Sequence, residues 1–131
     1  MTLVVDASVA LWACGAGGSF GPLDEHDLVA PWLMWSEFSS SLHASVWRRV
    51  VTRRTASAML ESLTRAPLAP RTHPELRGES WRVADEFGWA KTYDAEYVAL
   101  ASLLDCRLVT VDARLRRGAD RLNFVVTPSE L

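Results

Sequence analysis

Short apolar, β-branched runs alternate with helical stretches along this 131-residue chain, and twice such a run ends on an aspartate: "LVVDASVAL" at residues 3–11 and "LVTVDARL" at residues 108–115. Strands this short and this uniformly apolar, separated by helices, indicate an α/β protein with a mainly parallel sheet covered on both faces. In such sheets the functional crevice lies beyond the carboxyl ends of the strands, so Asp6 and Asp112 point at it. Each also stands just before a helix, where an aspartate caps free N–H groups and complements the helix dipole. For either residue alone, both roles are open.

Residues 3–5 read as a buried strand, and "ASVALWAC" as a helix that stops in the glycine-rich turn "GAGGSFGPL". "LVAP" at 28–31 is a second strand ended by proline, and a long helix begins around Trp32. On it Trp35, Phe38, Leu42 and Val46 recur at spacings of three and four and form a core face. Residues 55–64 make another helix, with Ala56, Met59, Leu60 and Leu63 apolar, and "APLAPRTHP" has room for a short edge strand. A weaker helix follows Pro74. The stretch "TYDAEYVALASLLD" from Thr92 is the most apolar helix: Tyr93, Tyr97, Leu100 and Leu104 share a face, with Val98 and Ala101 beside it, which predicts burial on two sides. "RLVTV" and "NFVVTP" are the last strands, on either side of the short helix "ARLRRGA". One domain spanning 1–131 accommodates this pattern, and the core is the default place for Trp32, Trp47, Trp81 and Trp89.

No run of about 18 apolar residues occurs and "MTLVVDASV" carries no basic leader, so the expected location is the cytoplasm, with no membrane partner. Cys14 and Cys106 lack metal-ligand spacing and read as reduced core residues. The net charge of −2 argues against a nucleic-acid partner, but its distribution argues for one. No acid falls between Glu37 and Glu61, where Arg48, Arg49, Arg53 and Arg54 lie; Arg107, Arg114, Arg116, Arg117 and Arg121 form a second basic cluster. Such runs are commonly solvated faces, and they also supply forks for phosphates.

Two further carboxylates belong with Asp6 and Asp112. Asp94 lies in the first turn of the most apolar helix, where it is also a plausible cap. Glu37 lies about 135° from its helix's core face, on a stripe with Ser41, Ala44 and Arg48. An acid, small residues and then an arginine about 16 Å further along the axis make a floor that an extended phosphodiester chain can cross. Four carboxylates at one crevice repel unless some take up protons or a cation neutralises them. Without His or Cys in the set, a hard divalent ion, Mg²⁺ or Mn²⁺, suits the oxygen donors better than Zn²⁺. Setting those four acids aside leaves fourteen basic against twelve acidic side chains, a balance compatible with RNA.

In order and spacing, "VVDAS", "WSEF", "TYDAEYVALA" and "LVTVDARL" resemble the PIN domain, in particular the VapC-type toxins of bacterial toxin–antitoxin pairs. The resemblance covers essentially the whole chain, and "TYDAxYVALA" followed by "LVTxD" is its most specific part. It implies a PIN-like three-layer sandwich, a mainly parallel central sheet flanked by helices, and Mg²⁺- or Mn²⁺-dependent endoribonuclease activity. It implies that Asp6, Glu37, Asp94 and Asp112 form the catalytic, metal-binding acidic cluster, with Ser8 and Thr110 supporting it. A homodimer and a cognate antitoxin whose tail occupies the acidic groove are the implied partners. Arg48, Arg114, Arg116 and Arg117 are candidates for contacts to the RNA backbone. Two positions depart from the family pattern. Ser36 precedes Glu37 where Asn is frequent, and Asp105 stands where a helix-ending Gly is usual, a conformation Asp tolerates. Glu96 lies outside the motif and reads as a solvated first-turn residue.

Other chemistries make different demands. A phosphatase with a strand-end Asp nucleophile, as in haloacid-dehalogenase-like enzymes, wants a second Asp two positions on, where this chain has Ser8. A receiver-like domain wants an acidic pair after the first strand and a lysine at a late strand end; the sole lysine, Lys91, precedes a helix. A PIN-like binding module without chemistry usually lacks some of the acids, and all four are present. Whether Glu37 is a ligand or a base, and whether one or two ions bind, stays open at this level.

Overall fold

Five strands lie in one sheet: β1 (Thr2–Val5), β2 (Asp27–Ala30), β3 (Leu68–Pro70), β4 (Arg107–Val109) and β5 (Val125–Val126), in the order β3-β2-β1-β4-β5. Every neighbouring pair is parallel. The computed structural model describes residues 1–15 and 18–131; part of the predicted glycine-rich turn, residues 16–17, lies outside the described residues. The helices are α1 (Ala7–Cys14), α2 (Leu33–Trp47), α3 (Arg53–Thr64), α4 (Leu76–Phe87), α5 (Tyr93–Leu103) and α6 (Ala113–Gly118), with 3₁₀ turns at Gly21–Leu23 and Pro128–Glu130.

The chain builds outward from β1 through β2 to β3, then crosses back to lay β4 on the other side of β1. This reversal makes the carboxyl ends of β1 and β4 a topological switch point, where a crevice opens between connections that diverge. Register aligns Val5 with Val109, so Asp6 and Thr110, the next residues on each strand, leave the sheet side by side. Leu3, Val4 and Val5 are fully buried, as a central strand covered on both faces requires. Helices α1, α2 and α3 pack with one another, α4 packs on α5, and α5 lies against β1 and β4.

Burial on two sides of α5 holds, from Ala95 through Ala101 without a break. Its first turn departs from the predicted core face, because Tyr93 precedes the packed region and is 54% exposed. Glu96, expected in solvent, is instead buried and pairs with Arg77 of α4 at 2.6 Å. The α4–α5 packing covers that first-turn position and brings the counter-charge with it. On α2, Phe38 and Leu42 are buried as expected, but Met34 fills the core where Trp35 was expected. Trp35 is half-buried beside Trp32, with ring centroids 6.0 Å apart.

Trp32, Trp47 and Trp81 are exposed rather than in the core, and Trp89 is half-buried. The β4 and β5 segments are shorter than the apolar runs that announced them, ending at Val109 and Val126. Asp105 takes φ 52°, the left-handed conformation its position after α5 demands, and Gly88 does the same after α4 at φ 69°. Cys14 and Cys106 are free thiols, both pushed up by burial. Among the described residues no helix is long and apolar enough to cross a membrane.

Candidate active site

Asp6 is the N-cap of α1, its Oδ1 accepting from the Val9 N–H at 3.1 Å. The Ser8 hydroxyl donates to Oδ1 and the Thr110 hydroxyl to Oδ2, both at 2.6 Å. Those hydroxyls accept in turn from the N–H groups of Val111 and Asp112, at 3.1 and 3.0 Å. One carboxylate therefore ties the end of β1 to the end of β4, and a single network orients Asp6 and the backbone that carries Asp112. Asp6 is only 4% exposed. Burial pushes its carboxyl above the ordinary value, the Ser8, Thr110 and Val9 donors pull it back, and the Asp112 charge adds to the rise.

Asp112 caps α6, its Oδ1 accepting from the N–H groups of Arg114 and Leu115 at 2.9 and 3.3 Å. The capping role open for Asp6 and Asp112 on sequence is thus real in both, and it fixes each carboxylate at the switch point. Asp94 makes no such bond: no side chain caps α5, and the Asp94 carboxylate meets the Arg114 guanidinium at 3.1 Å. Arg114 also lies 3.7 Å from Asp112.

Glu37, on α2, accepts at Oε1 from the Tyr97 hydroxyl. Burial raises its carboxyl, the Tyr97 bond opposes this, and the charges on Asp94, Asp6 and Glu96 raise it further. Tyr97 is pushed strongly upward by burial and by Glu37, so it serves as a fixed donor. The Asp6 carboxyl thus feels Asp112, and the Glu37 carboxyl feels Asp94 and Asp6. A cleft of about 490 Å³ opens beside Glu37 and Asp94, lined also by Trp89, Lys91, Tyr93 and Arg114.

Among the described residues, no three His, Cys, Asp or Glu side chains converge closely enough to enclose a metal ion as they stand. The donor set is nonetheless carboxylate and hydroxyl oxygen throughout, and the guanidinium of Arg114 already bridges two of the acids. That is the chemistry a hard divalent cation fits.

The arginines predicted to contact phosphate divide. Arg114 is in the acidic cleft, whereas Arg116 is bound by Glu130 at 3.2 Å, holding that carboxyl down to about 2. Arg117 is exposed, and so is Arg48, which caps the far end of α2 outside the residues lining the cleft. Tyr97, Trp89, Lys91 and Tyr93 were missed as site residues. The stretch "GWAKTYD" leading into Asp94 was the available signal for three of them. The phosphatase alternative finds no support, since Ser8 is committed to orienting Asp6.

An all-parallel α/β sheet with an acid cluster at its switch point defines a class that the relatives narrow. Ribonuclease VapC9 of Mycobacterium tuberculosis is 33% identical over 114 residues, covering 86% of this chain and 87% of that protein. Ribonuclease VapC1 of the same organism is 34% identical over 122 residues, covering 86% of each. The crystal structure of PAE2754 from Pyrobaculum aerophilum superposes with a TM-score of 0.74 at 25% identity, covering 99% of this chain and 95% of that one. No family model matches. The chain belongs to the VapC ribonuclease family, with the PIN-like fold its motifs implied.

Proposed function

We propose that this protein is an endoribonuclease that hydrolyses RNA phosphodiester bonds with Mg²⁺ or Mn²⁺, and that it is the toxin of a toxin–antitoxin pair. The observation that carries this reading is that Asp6 leaves the end of β1 bonded to Thr110 at the end of β4, with Asp112 two residues further on and joined to Asp94 of α5 through the Arg114 guanidinium. The named function of the VapC relatives supports the substrate class.

Asp6 and Asp94 would hold the cation, with Asp112 and Glu37 completing its shell directly or through water. When bound, the cation supplies a water of lowered pKa and charge that stabilises the phosphorane-like transition state. Ser8 and Thr110 keep both Asp6 oxygens in fixed directions, and Tyr97 does so for one oxygen of Glu37. In-line attack of the water oxygen on phosphorus forms one P–O bond and breaks the bond to the 3′ oxygen. The water proton leaves to a carboxylate or solvent, the departing 3′ oxygen takes up a proton from solvent, and the products are a 5′-phosphate and a 3′-hydroxyl.

A cognate antitoxin is the expected inhibitor. The exposed side chains Trp47, Val50 and Leu60 border a groove of about 850 Å³ between α2 and α3, apolar surface suited to a protein partner. Homodimerisation belongs to the same reading, and light scattering of the purified protein measures it. The test of the activity is incubation with single-stranded RNA and Mg²⁺ or Mn²⁺, against EDTA and an Asp94→Asn variant. Cleavage is expected only with metal and an intact Asp94; retained cleavage by Asp94→Asn with unchanged folding sinks the assignment.

A further inference from the structure

The cleft beside the acids has a second wall with a different chemistry. Trp89 is locked in place: its ring stacks on Phe87 at 5.1 Å and 25°, and its indole lies against Gly118, where an added Cβ would meet it at 3.5 Å. Tyr93 is different. Over half of it is exposed, and its hydroxyl has no hydrogen-bond partner among the described residues. Lys91, the chain's only lysine, is exposed and forms no ion pair among the described residues.

An aromatic ring and an ammonium, neither used by the fold, thus line the same cleft as Glu37 and Asp94. An exposed ring gains nothing from water, while an unstacked nucleobase gains from an aromatic face, and a cation one step along the wall suits its phosphate. Because Tyr93 lines the same cleft as Asp94 and Glu37, a base stacked on its ring is held in the cleft that carries those acids.

We infer that this cleft is a nucleotide subsite, in which Tyr93 stacks on the base next to the scissile phosphate and Lys91 pairs with a neighbouring phosphate of single-stranded RNA. The inference rests on the ribonuclease reading and names how the same site grips its substrate. Stacking accepts any base, so Tyr93 contributes affinity and placement, whereas sequence preference comes from elsewhere in the groove.

Equilibrium binding of a fluorescein-labelled single-stranded RNA of about 12 nucleotides, with Ca²⁺ replacing Mg²⁺, tests it. Tyr93→Ala is expected to weaken binding by roughly 10-fold, the scale of one lost base–aromatic stack. Tyr93→Trp and Tyr93→Phe keep affinity within about twofold of the native protein, and Tyr93→Leu behaves like Tyr93→Ala. With an RNA carrying one abasic position at the subsite, native protein and Tyr93→Ala bind alike. Lys91→Gln lowers the magnitude of the salt slope by roughly 0.7, the share of one phosphate contact on a single strand. Native-like binding by Tyr93→Ala or Tyr93→Leu, in a protein that binds and cuts RNA, overturns the subsite alone. Failure of the native protein to bind or cut RNA overturns the ribonuclease reading together with it.

Discussion

The guanidinium of Arg114 lies 3.1 Å from Oδ2 of Asp94 and 3.7 Å from Oδ2 of Asp112, so the helix that Asp112 caps returns a positive charge to the acids within its first turn. The crevice therefore carries its own counter-ion. On the proposed reading, a divalent cation entering between these carboxylates would compete with that guanidinium, and the displaced side chain would then be free for phosphate.

Removal of this arginine is expected to separate those two effects. Arg114→Ala should bind Mn²⁺ more tightly by titration calorimetry, by a factor on the order of 3 to 10, because a competing charge is gone. The same variant should bind RNA more weakly and with a shallower salt dependence. Folding stability should change by less than about 1 kcal/mol, since the arginine is largely exposed. Unchanged cation affinity would show that Arg114 does not compete for the site.

Asp6 and Glu37 both have carboxyls raised by burial. A carboxyl raised in the folded state binds more protons there than in the unfolded chain. Its stabilising contribution is full below the unfolded value and is lost as pH rises through the folded one. In EDTA the melting temperature should therefore fall as pH rises from about 4 toward neutrality, as far as these two groups set it. Glu37→Gln keeps an acceptor for Tyr97, loses the charge, and should melt higher than the native protein at neutral pH, with the gap closing near about pH 4. A gap that is absent at neutral pH would rule this out. Added Mg²⁺ or Mn²⁺ should narrow it by favouring the ionised carboxylates.

Thr110 donates to Asp6 and accepts from the Asp112 N–H, so Thr110→Val unmakes two bonds at once. A loss of about 1 to 3 kcal/mol in denaturant unfolding is expected, from leaving a buried carboxylate short of a donor. Cation affinity or cleavage should drop by roughly 10- to 100-fold, because Asp6 is no longer aimed. Thr110→Ser, which keeps the hydroxyl, should restore most of both; if it does not, the methyl packing of Thr110 is what matters.

Arg77 is mostly exposed while its partner Glu96 is buried. Arg77→Ala leaves that carboxylate buried without its counter-charge and should destabilise by about 1 to 3 kcal/mol, whereas the double variant Arg77→Ala with Glu96→Gln should recover part of the loss. Chemical denaturation of the three proteins measures the coupling, and strictly additive losses would mean that the pair is not energetically linked.

The sequence by itself determined what local pattern can reach. Alternation of apolar strands and helices set the parallel sheet, and strand-end aspartates marked the crevice at Asp6 and Asp112. The helical angle took Glu37 off the core face of its helix. The spacing around "TYDAEYVALA" placed Asp94 at the start of the buried α5. Tertiary structure alone decided that Thr110 meets Asp6, that Tyr97 meets Glu37, that Glu96 is covered by α4 and paired with Arg77, and that Arg114 turns back onto Asp94. It also left Tyr93 and three tryptophans in solvent, although their residue type and spacing suggested the core. The physical reason is one of range: periodicity fixes which side chains share a face of one element, while the strand order and helix packing fix which faces meet.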